Sequence, residues 1–170
     1  LVGRPRDEGA LLLGYDATAA ARDLSRDERD SALAMPRCVV VDDAFDWQGD
    51  APPDVPLEQT IIYEVHLKGF TAHQSSGVRH AGTYLGFIEK IPHLVRLGVT
   101  AVELLPIHAF VVEAFLRERK LTNYWGYNTI GFFAPEASYA AGRAGASAVT
   151  EFKTLVRELH RAGIEVILDV

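Results

Sequence analysis

Three short runs along the chain carry consecutive apolar residues, rich in β-branched and aromatic types: Thr60–Leu67, Val99–Pro106 and Ile164–Val170. Each reads as a buried strand. Between them the apolar positions recur at helical spacing. Tyr84, Ile88, Ile91 and Val95 line one helix that runs to Leu97, with Gly98 as its stop. Pro92 should kink or split that helix, because it lacks an N–H and clashes with the preceding turn. Val149, Phe152, Leu155, Val156 and Leu159 line a second helix, with Ser147 as its N-cap and Gly163 as its end. A Gly- and Ser-containing loop is expected over residues 69–82, and a short helix over residues 111–120. Nearer the start, Asp16–Arg22 reads as one or two helical turns and Cys38–Val41 as a short strand. Pro52, Pro53 and Pro56 make the stretch from Asp50 an extended linker, and so a boundary.

The order is strand, helix, strand, long connection, helix, strand, with no hairpin signal. Strands separated by helices predict right-handed βαβ units in a parallel sheet, buried on both faces. A doubly wound sheet would show a glycine-rich phosphate loop after its first strand. The corresponding text, Lys68-Gly69-Phe70-Thr71-Ala72-His73, has none. The fit is better to the first three β/α units of a (β/α)8 TIM barrel, whose site lies on the loops after the strands. The chain stops on an apolar strand and starts without Met or a signal-peptide core, so truncation at both ends is expected.

Composition narrows the partners. An apolar content of 48% is ample for a core, and a net charge of −6 argues against nucleic acid, which wants clustered Lys and Arg. The apolar runs are too short for a membrane span. Cys38 stands alone, which excludes an intrachain disulfide and fits a reducing, cytoplasmic setting. Its valine neighbours predict a buried thiol. His66, His73, His80, His93, His108 and His160 show no metal-ligand spacing, and no cofactor motif is present, so neither metal nor cofactor is expected.

The richest chemistry lies in Thr122–Pro135, which sets Tyr124, Trp125, Tyr127, Phe132 and Phe133 among two glycines and two asparagines. Flat rings beside amides and hydroxyls suit a sugar, with its apolar C–H face and hydroxyl rim. A satellite core tucked under the loop is an equal reading on composition alone. Asp169 stands at a strand end, where barrel sites gather. His66 and His108 are near strand ends and within reach of such a pocket. Glu64 and Glu103 read as strand carboxylates paired with neighbours rather than an acid/base couple. Arg157, Glu158 and Arg161 read as a solvated helix face, and His160 as a face residue near a helix C-terminus.

Particular wording then resembles a known family. Tyr63-Glu64-Val65-His66-Leu67-Lys68-Gly69-Phe70-Thr71 resembles the first barrel strand of glycogen debranching enzymes and isoamylases of the α-amylase superfamily. Leu97–His108 resembles their second strand, Asn123–Asn128 through Ala134-Pro135 the loop after it, and Gly163–Val170 the strand that opens their first shared region. That region normally continues to an Asn-His pair, which this chain lacks. The resemblance implies retaining hydrolysis of α-1,6 branch points in α-glucans such as glycogen, limit dextrin or maltooligosaccharides, by two carboxylates about 5 Å apart. It implies that Tyr127 stacks on the sugar at the cleaved position, that Tyr124 and Trp125 shape the pocket wall, and that Asp169 supports the site from its base. The family's nucleophile, acid/base and stabilising Asp follow later strands. No catalytic residue is therefore expected here, and the 170 residues alone should be inactive. Residues 1–56 would be a linker from an N-terminal β-sandwich, and residues 57–170 barrel strands one to three. A branching transferase or a non-catalytic glucan-binding protein are the rival readings.

Overall fold

The computed structural model describes residues 14–16, 18–33, 35, 38–142 and 147–170. In chain order its regular elements are β1 (Ile62–Val65), α1 (Leu67–Ala72), α2 (Tyr84–Ile88), α3 (Ile91–Leu97), β2 (Ala101–Leu104), β3 (His108–Phe110), α4 (Ala114–Glu118), β4 (Thr129–Pro135), α5 (Ser147–Arg161) and β5 (Glu165–Leu168). The chain forms two compact units, Leu1–Val39 with Val112–Asn123, and Val40–Val111 with Tyr124–Val170. The first holds α4 and two short 3-10 turns, Arg22–Leu24 and Ser31–Leu33. Only the first of these adjoins the expected helical stretch at Asp16–Arg22.

The second unit is built on a parallel sheet in the order β1-β2-β5. Its three strands pair in register, so Glu64, Glu103 and Ile167 stand side by side, as do Val65, Leu104 and Leu168. Alternation along each strand sends these two rows to opposite faces. Val65, Val102 and Leu104 enter the core with Phe87, Leu94, Leu155 and Leu159 from the helices. The Glu64 face stays open: Ile62 is 49% exposed and Ile167 38%. This corrects the expectation of strands buried on both faces. Among the described residues neither Glu64 nor Glu103 forms an ion pair with a neighbour.

Pro92 splits the predicted helix as expected. Lys90 precedes α3 without a capping hydrogen bond, and Pro92 sits in the first turn, where a missing N–H costs nothing. Helix α1 replaces the first part of the expected loop. His66 follows the strand directly and caps the helix, its Nδ1 accepting from the Gly69 N–H at 2.9 Å. The apolar run hid this switch. The sequence also concealed an antiparallel pair, β3 with β4. Its strands are joined by a long excursion rather than a two-residue turn, so the usual hairpin signal is absent. Ser147 is the first residue of α5, and the position before it lies outside the described residues. The buried stripe of α5 is Ala148, Glu151, Leu155 and Leu159, with Val149, Phe152 and Val156 flanking it half-buried. Glu151 can be buried because its carboxylate accepts from the Ala141 and Gly142 N–H groups, each at 2.8 Å. Cys38 is exposed and no strand forms at Cys38–Val41. Val40 is 98% exposed, so nothing buries that valine run.

The stretch before β1 is a strap laid over α5. Lys153 Nζ and the Arg157 guanidinium donate to the Asp43 and Asp46 carbonyls, and the Phe45 ring lies under both cations. Arg161 donates to Gln48, and the Val55 N–H to Glu165 at 3.1 Å. His160 Nδ1 meets the Asp50 carboxylate at 2.8 Å, with both side chains nearly buried. Arg157, expected on a solvated face, is thereby corrected to a half-buried strap contact, whereas Arg161 stays exposed and His160 stands in the last turn of α5 as expected. Asp50→Ala is expected to cost about 1–3 kcal/mol, because it strands a buried ring nitrogen. Lys153→Ala, whose bond is exposed, should cost about 0.5 kcal/mol or less. Urea unfolding of the two variants checks this, and equal losses would remove the His160–Asp50 contact as the strap's main fastening.

Candidate sugar-binding site

The site gathers where the three parallel strands end. Past β1 stands His66, past β2 stand Leu105 and Pro106, and past β5 stands Asp169. Residues 124–128 run across these ends, and each strand end holds one point of the loop. At the first, the Gly69 N–H must donate and the Tyr124 carbonyl must accept. His66 is therefore the neutral tautomer with its proton on Nε2, which donates to Tyr124 at 2.6 Å. The His66 and Tyr124 rings also stack, 4.1 Å apart and 12° from parallel. At the second, Gly126 turns with φ 84°, and a Cβ there would come within 3.1 Å of the Pro106 carbonyl and 3.3 Å of the Phe110 ring. Only glycine suits both demands. At the third, the Tyr127 hydroxyl donates to Asp169 Oδ2.

A cleft of about 560 Å³ opens here, lined by Glu64, Val65, His66, Leu105, Trp125 and Tyr127. Tyr124, Trp125 and Tyr127 are 46%, 57% and 52% exposed, which removes the satellite-core reading of the loop. The Tyr127 phenol is pushed up to about 12, first by its bond to Asp169, then by burial and by the negative charges of Asp169, Glu64 and Glu103. It therefore remains a protonated donor at neutral pH beneath an acidic rim.

Of the residues singled out from sequence, Trp125 and Tyr127 line the cleft. Asp169 holds Tyr127 from the side, and Tyr124 packs behind on His66 and over Gly69. His66 lines the cleft, whereas His108 does not. His108 is buried on β3 against Phe132, with Nε2 lacking a partner among the described residues. Phe132 and Phe133 stand on β4 away from the lining. Sequence reasoning missed Glu64 and Leu105 as lining and Gly126 as a hinge. Their signal was position, since Leu105 and Pro106 follow a strand end. No cluster able to hold a metal occurs among the described residues, and no described helix is long and apolar enough to cross a membrane.

No protein-family profile matches the chain. The glycogen operon protein GlgX homolog of Mycobacterium bovis is 48% identical over 165 residues, covering 95% of this chain and 23% of that protein. Chloroplastic isoamylase 1 of Oryza sativa is 52% identical over 130 residues, covering 74% and 16%. The glycogen debranching enzyme of Yersinia pestis is 46% identical over 147 residues, covering 85% and 22%. This chain is a homologue of the glycogen debranching enzymes and isoamylases. It spans about a fifth of the length of these relatives. Among solved structures, the apo pullulanase of Paenibacillus barengoltzii, of the α-amylase family, matches with TM-score 0.65 and 31% identity, over 74% of this chain and 21% of the pullulanase. The same enzyme with maltohexaose and α-cyclodextrin matches with TM-score 0.64 and 33% identity, over 73% and 22%. Debranching-enzyme relatives and pullulanase neighbours thus agree on one glycoside hydrolase group.

Proposed function

We propose that this chain forms the first three β/α units of a (β/α)8 barrel and one wall of its sugar pocket, in an enzyme that hydrolyses α-1,6 branch points of glycogen or related α-glucans. The observation that carries the reading is the cleft at the strand ends, where Trp125 and Tyr127 stand half-exposed and Asp169 fixes the Tyr127 hydroxyl. A half-exposed ring with a tethered edge suits the apolar face of a glucose unit. In this reading Tyr127 stacks on the sugar at the cleaved bond, and Trp125 and Tyr124 support the wall. The sheet with helices on one face and Glu64, Glu103 and Ile167 on the other fits a barrel wall seen from inside. The neighbouring pullulanase accommodates maltohexaose, which supports an α-glucan as ligand. Hydrolysis with retention needs two carboxylates about 5 Å apart at the reacting bond. The reading assigns that pair to later strands of the full-length protein.

Incubation with glycogen tests it. The full-length protein is expected to release linear maltooligosaccharides with new reducing ends, and the 170-residue chain alone to release none. Longer branches without new reducing ends would replace hydrolysis by chain transfer. Release by the 170 residues alone would place the catalytic pair within them and overturn the assignment.

A further inference from the structure

One of the three anchors of the aromatic loop is a side chain only partly in view of the cleft. His66 is buried, sits one residue past β1, and joins two backbone groups that belong to different parts of the fold. On one side is the Gly69 N–H in the first turn of α1. On the other is the carbonyl of Tyr124, three residues before Tyr127. A neutral imidazole is the only histidine state that accepts at Nδ1 and donates at Nε2. Its ring also supports Tyr124 face to face and Trp125 edge to face, with centroids 4.1 and 6.3 Å away. The site's glycine at position 69 follows from this packing, since a Cβ there would run into the Tyr124 hydroxyl.

We propose that His66 is a positioning residue for the sugar site. Its Nε2–H fastens the loop backbone at Tyr124 to the end of β1, and so sets where Trp125 and Tyr127 stand over the cleft. The proposal rests on the sugar-site reading for its consequence, but not for the placement itself. The His66 ring performs two separable tasks, capping α1 through Nδ1 and holding the loop through Nε2. Two substitutions separate them by reach. His66→Asn keeps an acceptor at the position of Nδ1, a favoured N-cap, and removes the group that reaches Tyr124. His66→Gln extends a donor toward the Tyr124 carbonyl and gives up the cap.

The test uses the full-length protein and three readouts: thermal unfolding, the phenolate titration of Tyr127 (taken as the difference from a Tyr127→Phe background), and affinity for maltohexaose. His66→Asn is expected to hold the unfolding midpoint near that of the parent. The Tyr127 titration should fall from about 12 toward the ordinary value of about 10, and maltohexaose should bind about tenfold more weakly. His66→Gln is expected to unfold earlier while keeping the high titration and most of the affinity. A His66→Asn protein with Tyr127 still titrating at about 12 would overturn the proposal. Equal loss of both readouts in the two variants would also overturn it, because that pattern belongs to ring packing alone. If the parent binds no maltohexaose, the sugar reading fails, and the titration still decides whether His66 positions Tyr127.

Discussion

On the proposed reading, Tyr127→Ala in the full-length protein is expected to lower catalytic efficiency on a branched oligosaccharide by about a hundredfold, with the fold intact. One ring-on-ring stacking contact would account for only about fivefold. The larger figure follows if the ring also aligns the sugar for attack, where small misplacements cost about 10²-fold. The loss should then fall on kcat as well as on KM. Tyr127→Phe separates the ring from the hydroxyl. Because the hydroxyl is bonded to Asp169, the phenylalanine ring is free to tilt, and an intermediate loss of about tenfold is expected. Tyr127 is half-exposed, so both variants should still fold. Near-parental efficiency for Tyr127→Ala would remove this residue from the sugar pocket. The phenol's own titration gives a second check. A raised folded value means that the contact stabilises the protein fully below the ordinary phenol value and loses that effect as pH climbs through about 12. Tyr127→Phe should therefore change the alkaline limb of the stability profile and leave the neutral region flat.

Gly86→Ala is expected to destabilise the second unit by about 2–3 kcal/mol. Propensity alone gives the opposite sign, since Ala is favoured over Gly in a helix by about 1 kcal/mol. Packing decides the matter. Gly86 lies in the first turn of α2, buried, and its N–H donates to the Thr83 side chain at 3.2 Å. A Cβ there would drive into the His80 backbone carbonyl and stand 3.3 Å from Thr71 Oγ1. Thr71 is fully buried, and its hydroxyl already accepts from the Gly82 N–H at 2.8 Å. Neither neighbour is the free end of a flexible side chain, so the strain cannot be relieved by a rotamer change. Urea unfolding with an unchanged m-value would register the loss as stability. A Gly86→Ala protein as stable as the parent would mean that the His80 turn moves freely.

What the sequence disclosed and what it withheld divide along the range of the contacts involved. The strands showed in local composition, the break at Pro92 in a missing N–H, and the position of Asp169 just past a strand in the apolar run before it. These are properties of a few adjacent residues. Helix α1 was hidden because its cap is a histidine inside an apolar run, and histidine is not a usual cap. The pairing of β3 with β4 was hidden because their ends meet only through the long excursion between them. Nothing in the adjacent residues marks Glu151 as buried, and only the loop amides that it receives make its burial tolerable. The anchoring of the aromatic loop needed three strand ends at once, which no local pattern can display.

The strap over α5 bears on the order in which the molecule is assembled. Its Asp50 and Val55 are fastened to His160 and Glu165, each 110 positions later in the chain, and Asp46 to Arg157, 111 later. Made from its N-terminus, the protein would finish the strap first and seat it last. At about 5–20 residues per second, that interval is roughly 5–20 s. During it Phe45 has no helix to lie against. Four aspartates, Asp42, Asp43, Asp46 and Asp50, and the prolines at 52, 53 and 56 occupy the same stretch. Charge and proline both discourage premature strand pairing, so the segment is composed to remain extended and unattached until its late partner emerges.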